Sequence, residues 1–444
     1  MNIKIFFVKN YKEYFSNTEG IFQALKFKPL GKLSDFKIPD SLYRKVVKTN
    51  HQKYNSNLAE LYETNLYGET GIDGIKIDFN FGLRLDIPEG NFFVRISDFD
   101  SGQIFFAENI SDTRLISSEN YFIHWQIEIY LDGEKIFEHI FEPEGQEILM
   151  AVPTNVLGDT LAILPYVREF QKLHNCKVFL YLPEFLRELA ANFYPEIEQV
   201  HEITQNYYAT FYLSGALGDC LTLPVDSRIL PLEKVGGLIL GIKNTPQLPK
   251  FIPTKKREIA EPYVCISVQA SGVQKTWLYP DGWNIVVKYL KNLGYKVLCI
   301  DKNKIESDKD YTMQKPDQAE DFTGNISLID RANMIHYADF FIGLGSGLSW
   351  LAHYVNCPVV MICGFSQDWY EFFTPYRVKN KFVCNGCYND VQSSFLKNET
   401  CYKYKGTPRE LECQKKISPQ QVIKAIEKLL EDKNEHKNFL RQGF

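Results

Sequence analysis

Two stretches carry residues whose types and spacing could do chemistry. In the first, an apolar run, Ile148–Val152, leads to Gly158-Asp159 and then to apolar-periodic text reaching Leu173. That order reads as a buried strand, a tight turn and a helix opening at Thr160. It presents one carboxylate at the edge of a parallel sheet. Asp159 can then act as a general base toward an attacking hydroxyl. The plainer reading is a helix N-cap. Pro165 falls inside the expected helix, where a proline costs about 3 kcal/mol or kinks the chain. Such breaches of local rules gather at functional or strained places. In the second stretch, Gly345-Ser346-Gly347 is a small-residue turn opening the helix Leu348–Val355. Free N–H groups and the helix dipole suit a diphosphate there. Ser271, Gly272 and Lys275 follow the first strand of the same half. Lys275 can neutralise a departing diphosphate, or be an ordinary surface lysine. Asp301 ends the next strand, where Rossmann-like domains often set an acid on a ribose hydroxyl.

A third constellation is Cys384-Asn385-Gly386-Cys387 with Cys401 and Cys413. Cys-x-x-Cys with two further cysteines in a loop-rich stretch reads as a tetrahedral thiolate metal site. Lys381, Lys403 and Lys405 would offset its charge. Four thiolates leave no open position, so the site is expected to be structural. Geometry alone makes zinc the first choice, and a redox Cys-x-x-Cys is the weaker alternative. Cys176, Cys220, Cys265, Cys299, Cys357 and Cys363 lie in apolar contexts and read as buried filler.

The elements that must hold these residues fall into three blocks. Residues 10–70 are Tyr-, Lys- and Asn-rich and read as loops and short helices. From Gly74 to Glu147, Ile75–Phe81, Phe93–Ser97 and Trp125–Leu131 alternate apolar with polar, and Asp132-Gly133 marks a hairpin running on to Phe141. This is an antiparallel β region, a small barrel or sandwich, whose edges suit self-association. Residues 148–250 read as βα units, with strands at Lys177–Leu182 and Thr210–Leu213. A second Gly-Asp pair, Gly218-Asp219, lacks a following helix and reads as a decoy. Gln247–Pro262 is a Pro-, Lys- and Arg-rich linker. A second αβ half starts at Tyr263–Val268 and closes with a helix over Ser418–Leu430, with Ser418 as N-cap and Pro419 next. The expected domains are 1–147, 148–255 and 256–444, the last holding a four-Cys metal finger over 384–413.

Composition narrows the classes. The chain has 444 residues, 45% apolar and 24% charged, with a net charge of -5. Packed cores are expected, and general nucleic-acid binding is not. No stretch is long enough to span a bilayer. Lys9 interrupts the opening apolar run, so a signal peptide is not expected, and the chain is read as cytoplasmic with its ten cysteines as thiols or metal ligands.

Two αβ halves joined by a linker leave a cleft, the two-Rossmann arrangement called GT-B. Gly158-Asp159 with Pro165, Ser271–Trp277, Thr323–Leu328 and Gly345–Ala352 together resemble the heptosyltransferases of lipopolysaccharide assembly, glycosyltransferase family 9. In that family the Asp is the proposed catalytic base. There is one departure. Those enzymes usually carry Asp-Thr/Ser-Gly followed by His, where this chain has Gly345-Ser346-Gly347 and Trp350. Gly-Ser-Gly-Leu-Ser-Trp-Leu-Ala, the late cysteines and the N-terminal β region resemble a side branch, the bacterial autotransporter heptosyltransferases. The resemblance implies inverting transfer of heptose from ADP-heptose to Ser or Thr hydroxyls of an autotransporter adhesin passenger. It implies Asp159 as base, with Lys275 and the helix start at Ser346 on the ADP oxygens. Trp277, Leu328 and Trp350 would line the nucleotide or sugar pocket, with Phe365–Trp369 approaching the donor. It further implies iron, rather than zinc, on Cys384, Cys387, Cys401 and Cys413, no catalytic Mg²⁺, and a homo-oligomer that in the family is a ring-like dodecamer. Two other classes fit the same residues: another sugar transferase of this fold, such as a lipopolysaccharide-type enzyme, and a non-catalytic scaffold.

Overall fold

The computed structural model describes residues 27–29, 68–80, 82–117, 123–152, 156–203, 205–213, 226–308, 311–392 and 401–441. Gly218-Asp219, Cys220 and most of the 10–70 stretch lie outside these residues.

The strand that leads to Asp159, Glu147–Ala151, is buried because every residue after Glu147 is apolar. It runs parallel between Lys177–Tyr181 and Ala209–Tyr212. Such two-sided burial is the condition for a near-continuous hydrophobic strand in a parallel sheet. The sheet does not stop at the expected domain border. Ala209–Tyr212 pairs in parallel with Lys76–Asn80, matching Ala209 with Phe79. Arg84–Ile87, Thr113–Ser117 and Phe27–Pro29 then extend it antiparallel. The N-terminal strands are therefore not a detached barrel, and a division at residue 147 would cut one sheet. Buried Asp78–Arg84 and Asp86–Arg114 pairs tie neighbouring strands within this extension.

The rest of the β region is a four-stranded antiparallel sheet, ordered Ile104–Ile110, Phe92–Asp98, Trp125–Leu131, Glu134–Ile140. Its last hairpin turns at Asp132 (φ 49°) and Gly133 (φ 92°), the left-handed pair a primed turn needs. Val94, Ile96, Trp125 and Ile127 share one hydrophobic core with Leu85, Leu115, Ile148 and Met150.

The second half is an all-parallel sheet in the order Glu320–Asp321, Lys296–Cys299, Tyr263–Ile266, Phe340–Leu344, Val359–Ile362, Arg377–Val378. The closing helix runs Pro419–Arg441, longer than expected. Ser418 Oγ accepts from Gln421 N (3.3 Å), and Gln421 Oε1 accepts from Ser418 N (2.8 Å), which is a capping box. Among the described residues no helix is long and apolar enough to cross a membrane.

The linker is pinned rather than loose. Asn192 Nδ2 donates to Ile252 O (2.8 Å), and Thr254 N donates to Asn333 Oδ1 (2.9 Å). The halves also meet helix to helix, Leu157–His174 against Gly347–Tyr354. Here Pro165 finds its reason. A proline has no N–H, so the carbonyl four residues earlier, on Leu161, loses its helical partner. The buried Tyr354 hydroxyl donates to that carbonyl from the opposite half. Tyr354→Phe removes the donor and strands a buried acceptor, which costs about 1–3 kcal/mol. Urea denaturation should show that loss, and Pro165→Ala on top of it should recover part, because the helix then supplies its own N–H.

Candidate active site between the two halves

Asp159 lies within the first turn of the helix Leu157–His174, which begins earlier than the sequence suggested. Val156 takes the N-cap position and caps nothing with its side chain, so the N-cap reading of Asp159 falls. The helix starts early because Gly158 lets it lie against the other half. A Cβ on Gly158 would stand 3.0 Å from Trp350 Cδ1. Across the same contact, a Cβ on Gly347 would stand 2.8 Å from Leu157 Cβ. Two helix N-termini thus abut, each carrying a partial positive charge. Ser346, the N-cap of Gly347–Tyr354, makes no side-chain capping bond.

Asp159 is half-buried. Burial pushes its carboxyl from the ordinary 3.8 up to about 6; the Lys275 ammonium pulls down and Glu371 pushes up. A base with that value is ionised at neutral pH yet still holds a proton usefully.

Lys275 ends a short turn, Val273–Lys275, that follows Gly272. Its loop is braced from below. Val273 packs with Cys401 and Leu411, and Gln414 Nε2 donates to Gln274 O (2.8 Å). Ser271 is exposed at the front of this loop. Trp277 does not line a pocket. It is buried, donates from Nε1 to Ile417 O (2.8 Å) and stacks edge-on against Trp283, so it anchors the loop.

Asp301 also turns inward. It is 2% exposed and accepts from Ser267 Oγ (2.7 Å), Val268 N (2.8 Å) and Gln269 N (3.3 Å). A carboxylate so committed shapes the loop toward Ser271; it does not meet a ribose as expected. Arg331 performs the same service for Thr323–Leu328, donating to Gly324 O (2.8 Å) and Asp301 O (3.0 Å). Leu328 opens the next helix behind the N-cap Ser327 and is half-buried against the main core. Trp350 is 3% exposed, and its Nε1 donates to Glu371 Oε2 (2.7 Å). Gly345, Ser346 and Gly347 form the intended strand-to-helix turn.

Sequence reasoning missed three residues near Asp159. Glu371 is buried beside Gly345. Tyr370 donates to the Tyr388 hydroxyl (3.0 Å), and the Asp159 charge helps hold both phenols well above their ordinary range, after burial. The only signal was an acid inside an aromatic run, Trp369-Tyr370-Glu371-Phe372-Phe373.

The late cysteines gather below the Lys275 loop. Cys384 is half-buried, and Cys387, Cys401 and Cys413 are buried, all as free thiols. Burial raises the thiols of Cys384, Cys387 and Cys413, that of Cys387 to about 12, and Cys401 adds to each. Lys403 pulls Cys384 and Cys387 back down. Among the described residues, however, no group of three or more His, Cys, Asp or Glu stands at metal-ligand spacing. The sulfurs are drawn together without the closed finger that the spacing suggested.

Residues 71–133 match the family described as glycosyltransferase TibC, N-terminal domain. Residues 243–403 match glycosyltransferase family 9 (heptosyltransferase). The chain is 37% identical over 381 residues to the autotransporter heptosyltransferase BAHTCr of Citrobacter rodentium, spanning 84% of this chain and 92% of that protein. The chain belongs to the autotransporter heptosyltransferases. The resemblance read from the Gly-Ser-Gly-Leu-Ser-Trp-Leu-Ala run and the late cysteines is borne out. A solved relative in this family is TibC of enterotoxigenic Escherichia coli, described as an iron-containing dodecameric glycosyltransferase. It matches with a TM-score of 0.79 at 35% identity, covering 83% of this chain and 99% of that one. A second TibC structure, with TM-score 0.79 and 35% identity over 83% of this chain and 98% of that one, contains ADP-D-β-D-heptose. The family extends to a Burkholderia thailandensis protein named inactive autotransporter heptosyltransferase BimC, 31% identical over 365 residues, 80% of this chain and 86% of that protein.

Proposed function

We propose that this chain transfers heptose from ADP-heptose to serine or threonine hydroxyls of an autotransporter adhesin passenger, with inversion at the anomeric carbon. The observation that carries the reading is Asp159, a raised-pKa carboxylate set where two helix N-termini and Lys275 converge. The donor diphosphate lies at Ser346 and Gly347 and is balanced by Lys275 and the two helix ends. The acceptor hydroxyl gives its proton to Asp159 as its oxygen attacks the anomeric carbon. The bond from that carbon to the diphosphate oxygen breaks, and ADP leaves with the electron pair. Positive charge from the protein takes the place of a catalytic Mg²⁺. Asp301 and Trp277 have no ligand contact in this scheme; they hold the loops that carry Ser271, Gly272 and Lys275. Leu328 and Trp350 border the donor.

Cys384, Cys387, Cys401 and Cys413 would hold one iron ion. The donor set supports this, since three buried thiols and one half-buried thiol lie within electrostatic reach of one another and of Lys403. The ion would supply structural cross-linking. Zinc is the alternative for the same four sulfurs. Such thiols persist in the cytoplasm, where we place the reaction. The chain is read as a homo-oligomer, as TibC is dodecameric; Ile104–Ile110 and Glu134–Ile140, the outer strands of the four-stranded sheet among the described residues, suit assembly.

Titration calorimetry tests the donor. ADP-heptose should bind saturably, and UDP-glucose should not at the same concentrations. Absence of ADP-heptose binding would turn the reading toward a non-catalytic scaffold; the relative BimC is itself named an inactive autotransporter heptosyltransferase.

A further inference from the structure

The donor turn Gly345-Ser346-Gly347 carries no carboxylate of its own. The fold brings one to it from elsewhere in the chain. Glu371 comes from the segment between the strands Val359–Ile362 and Arg377–Val378. A Cβ on residue 345 would stand 2.9 Å from Glu371 Oε1 and 3.6 Å from its Cδ. Glu371 therefore fills the volume that a side chain at 345 would need, and the glycine is what admits it. Its Oε2 accepts from Trp350 Nε1 at 2.7 Å. No donor among the described residues reaches Oε1. Glu371 is 8% exposed, yet Oε1 is not among the buried atoms left without a partner, so this oxygen keeps an open side from which a ligand hydroxyl can reach it.

We propose that Glu371 binds the sugar of the donor, its Oε1 accepting a hydroxyl of the glycosyl group while its Oε2 fixes Trp350 against Gly158. This rests on the sugar-transferase reading above. The assignment to the sugar follows from position. On one side of Glu371 is the Gly345–Gly347 turn, where the diphosphate lies. On the other is Asp159, which feels the Glu371 charge. In a donor whose diphosphate sits at that turn and whose anomeric carbon faces the Asp159 carboxylate, the part between the two is the glycosyl group. Gly345 and Glu371 thus form a matched pair, since a side chain at 345 would meet Glu371 Oε1.

The groups facing Asp159 are Lys275, which favours its charged form, Glu371, which opposes it, and the Tyr370 and Tyr388 phenols. Replacing Glu371 by a neutral isostere therefore has two separable effects: a weaker sugar contact and a lower Asp159 pKa.

The test is Glu371→Gln in the full chain, titrated with ADP-heptose and with ADP. The amide oxygen can still accept from Trp350, so the fold is kept, and ADP binding reports on it directly. ADP-heptose should bind about tenfold more weakly, the difference between a charged and a neutral hydrogen bond, while ADP stays within about twofold. The acid limb of kcat/KM should move to lower pH. Equal loss of ADP and ADP-heptose, no loss of either, or an unmoved acid limb would overturn the inference. If the wild-type chain binds ADP-heptose and Glu371→Gln binds it equally well, only this inference fails. If the wild-type chain does not bind ADP-heptose, the functional reading fails and this one with it.

Discussion

Asp159→Asn will lower the transfer rate by roughly 10²–10⁴-fold, the range a positioned general base contributes, and will leave ADP-heptose affinity within a few-fold. The same substitution will raise stability. A carboxyl whose folded pKa stands above its unfolded value costs stability once it is ionised. The rise from 3.8 to about 6 corresponds to about 3 kcal/mol. The sign follows from linkage. Below about pH 4 the carboxyl is protonated in both states and costs nothing. The cost grows as pH rises toward 6 and is complete above it. Asn carries no charge at any pH, so the variant should unfold at higher denaturant than wild type at pH 7–8. The two should converge near pH 4. Urea titrations at both pH values, run beside single-turnover rates, check both halves. A variant that loses activity and stability together would point to a structural role for Asp159.

Cys413→Ser will abolish metal binding and weaken ADP binding together. A structural metal of this kind contributes on the order of 10 kcal/mol, comparable with the whole stability of an ordinary domain. The thiols of Cys384, Cys387 and Cys413, raised by burial, gain much from a cation that holds them as thiolates. The consequence reaches the cleft because Gln414, next to Cys413, donates to Gln274 O, and Cys401 packs under Val273. Loosening this platform releases the turn that carries Lys275. Elemental analysis should give about one iron per wild-type chain and close to none for Cys413→Ser. Cys176→Ser, in the other half, should leave metal and ADP binding unchanged. Zinc in place of iron would change the element and keep the structural role. A wild-type chain free of both metals, folded and binding ADP, would remove the metal site.

What could be read from the sequence was mostly local. The apolar run before Asp159, the period of the following helix, and the Gly345–Gly347 turn are each set within a few residues, and periodicity exposes them. Pro165 was legible as a breach of helix rules, but its cause, the Tyr354 hydroxyl on Leu161 O, comes from the opposite half. What escaped was non-local. Pairing of Phe79 with Ala209 joins the N-terminal strands to the Rossmann-like sheet, and no short window contains both residues. Asp301 stood at the position of a ribose ligand, yet its neighbours Ser267, Val268 and Gln269 take it inward. Glu371 was hidden for a similar reason. It lies in a loop without periodicity, and its meaning appears only beside Gly345 and Trp350.

The most direct test of the central claim is intact-mass measurement of an autotransporter adhesin passenger co-expressed with this chain in cells that make ADP-heptose. Wild type should add mass in multiples of one heptose residue, on serine or threonine, and Asp159→Asn should leave the passenger at its unmodified mass. An unmodified passenger with wild type, or equal modification by Asp159→Asn, would contradict the account.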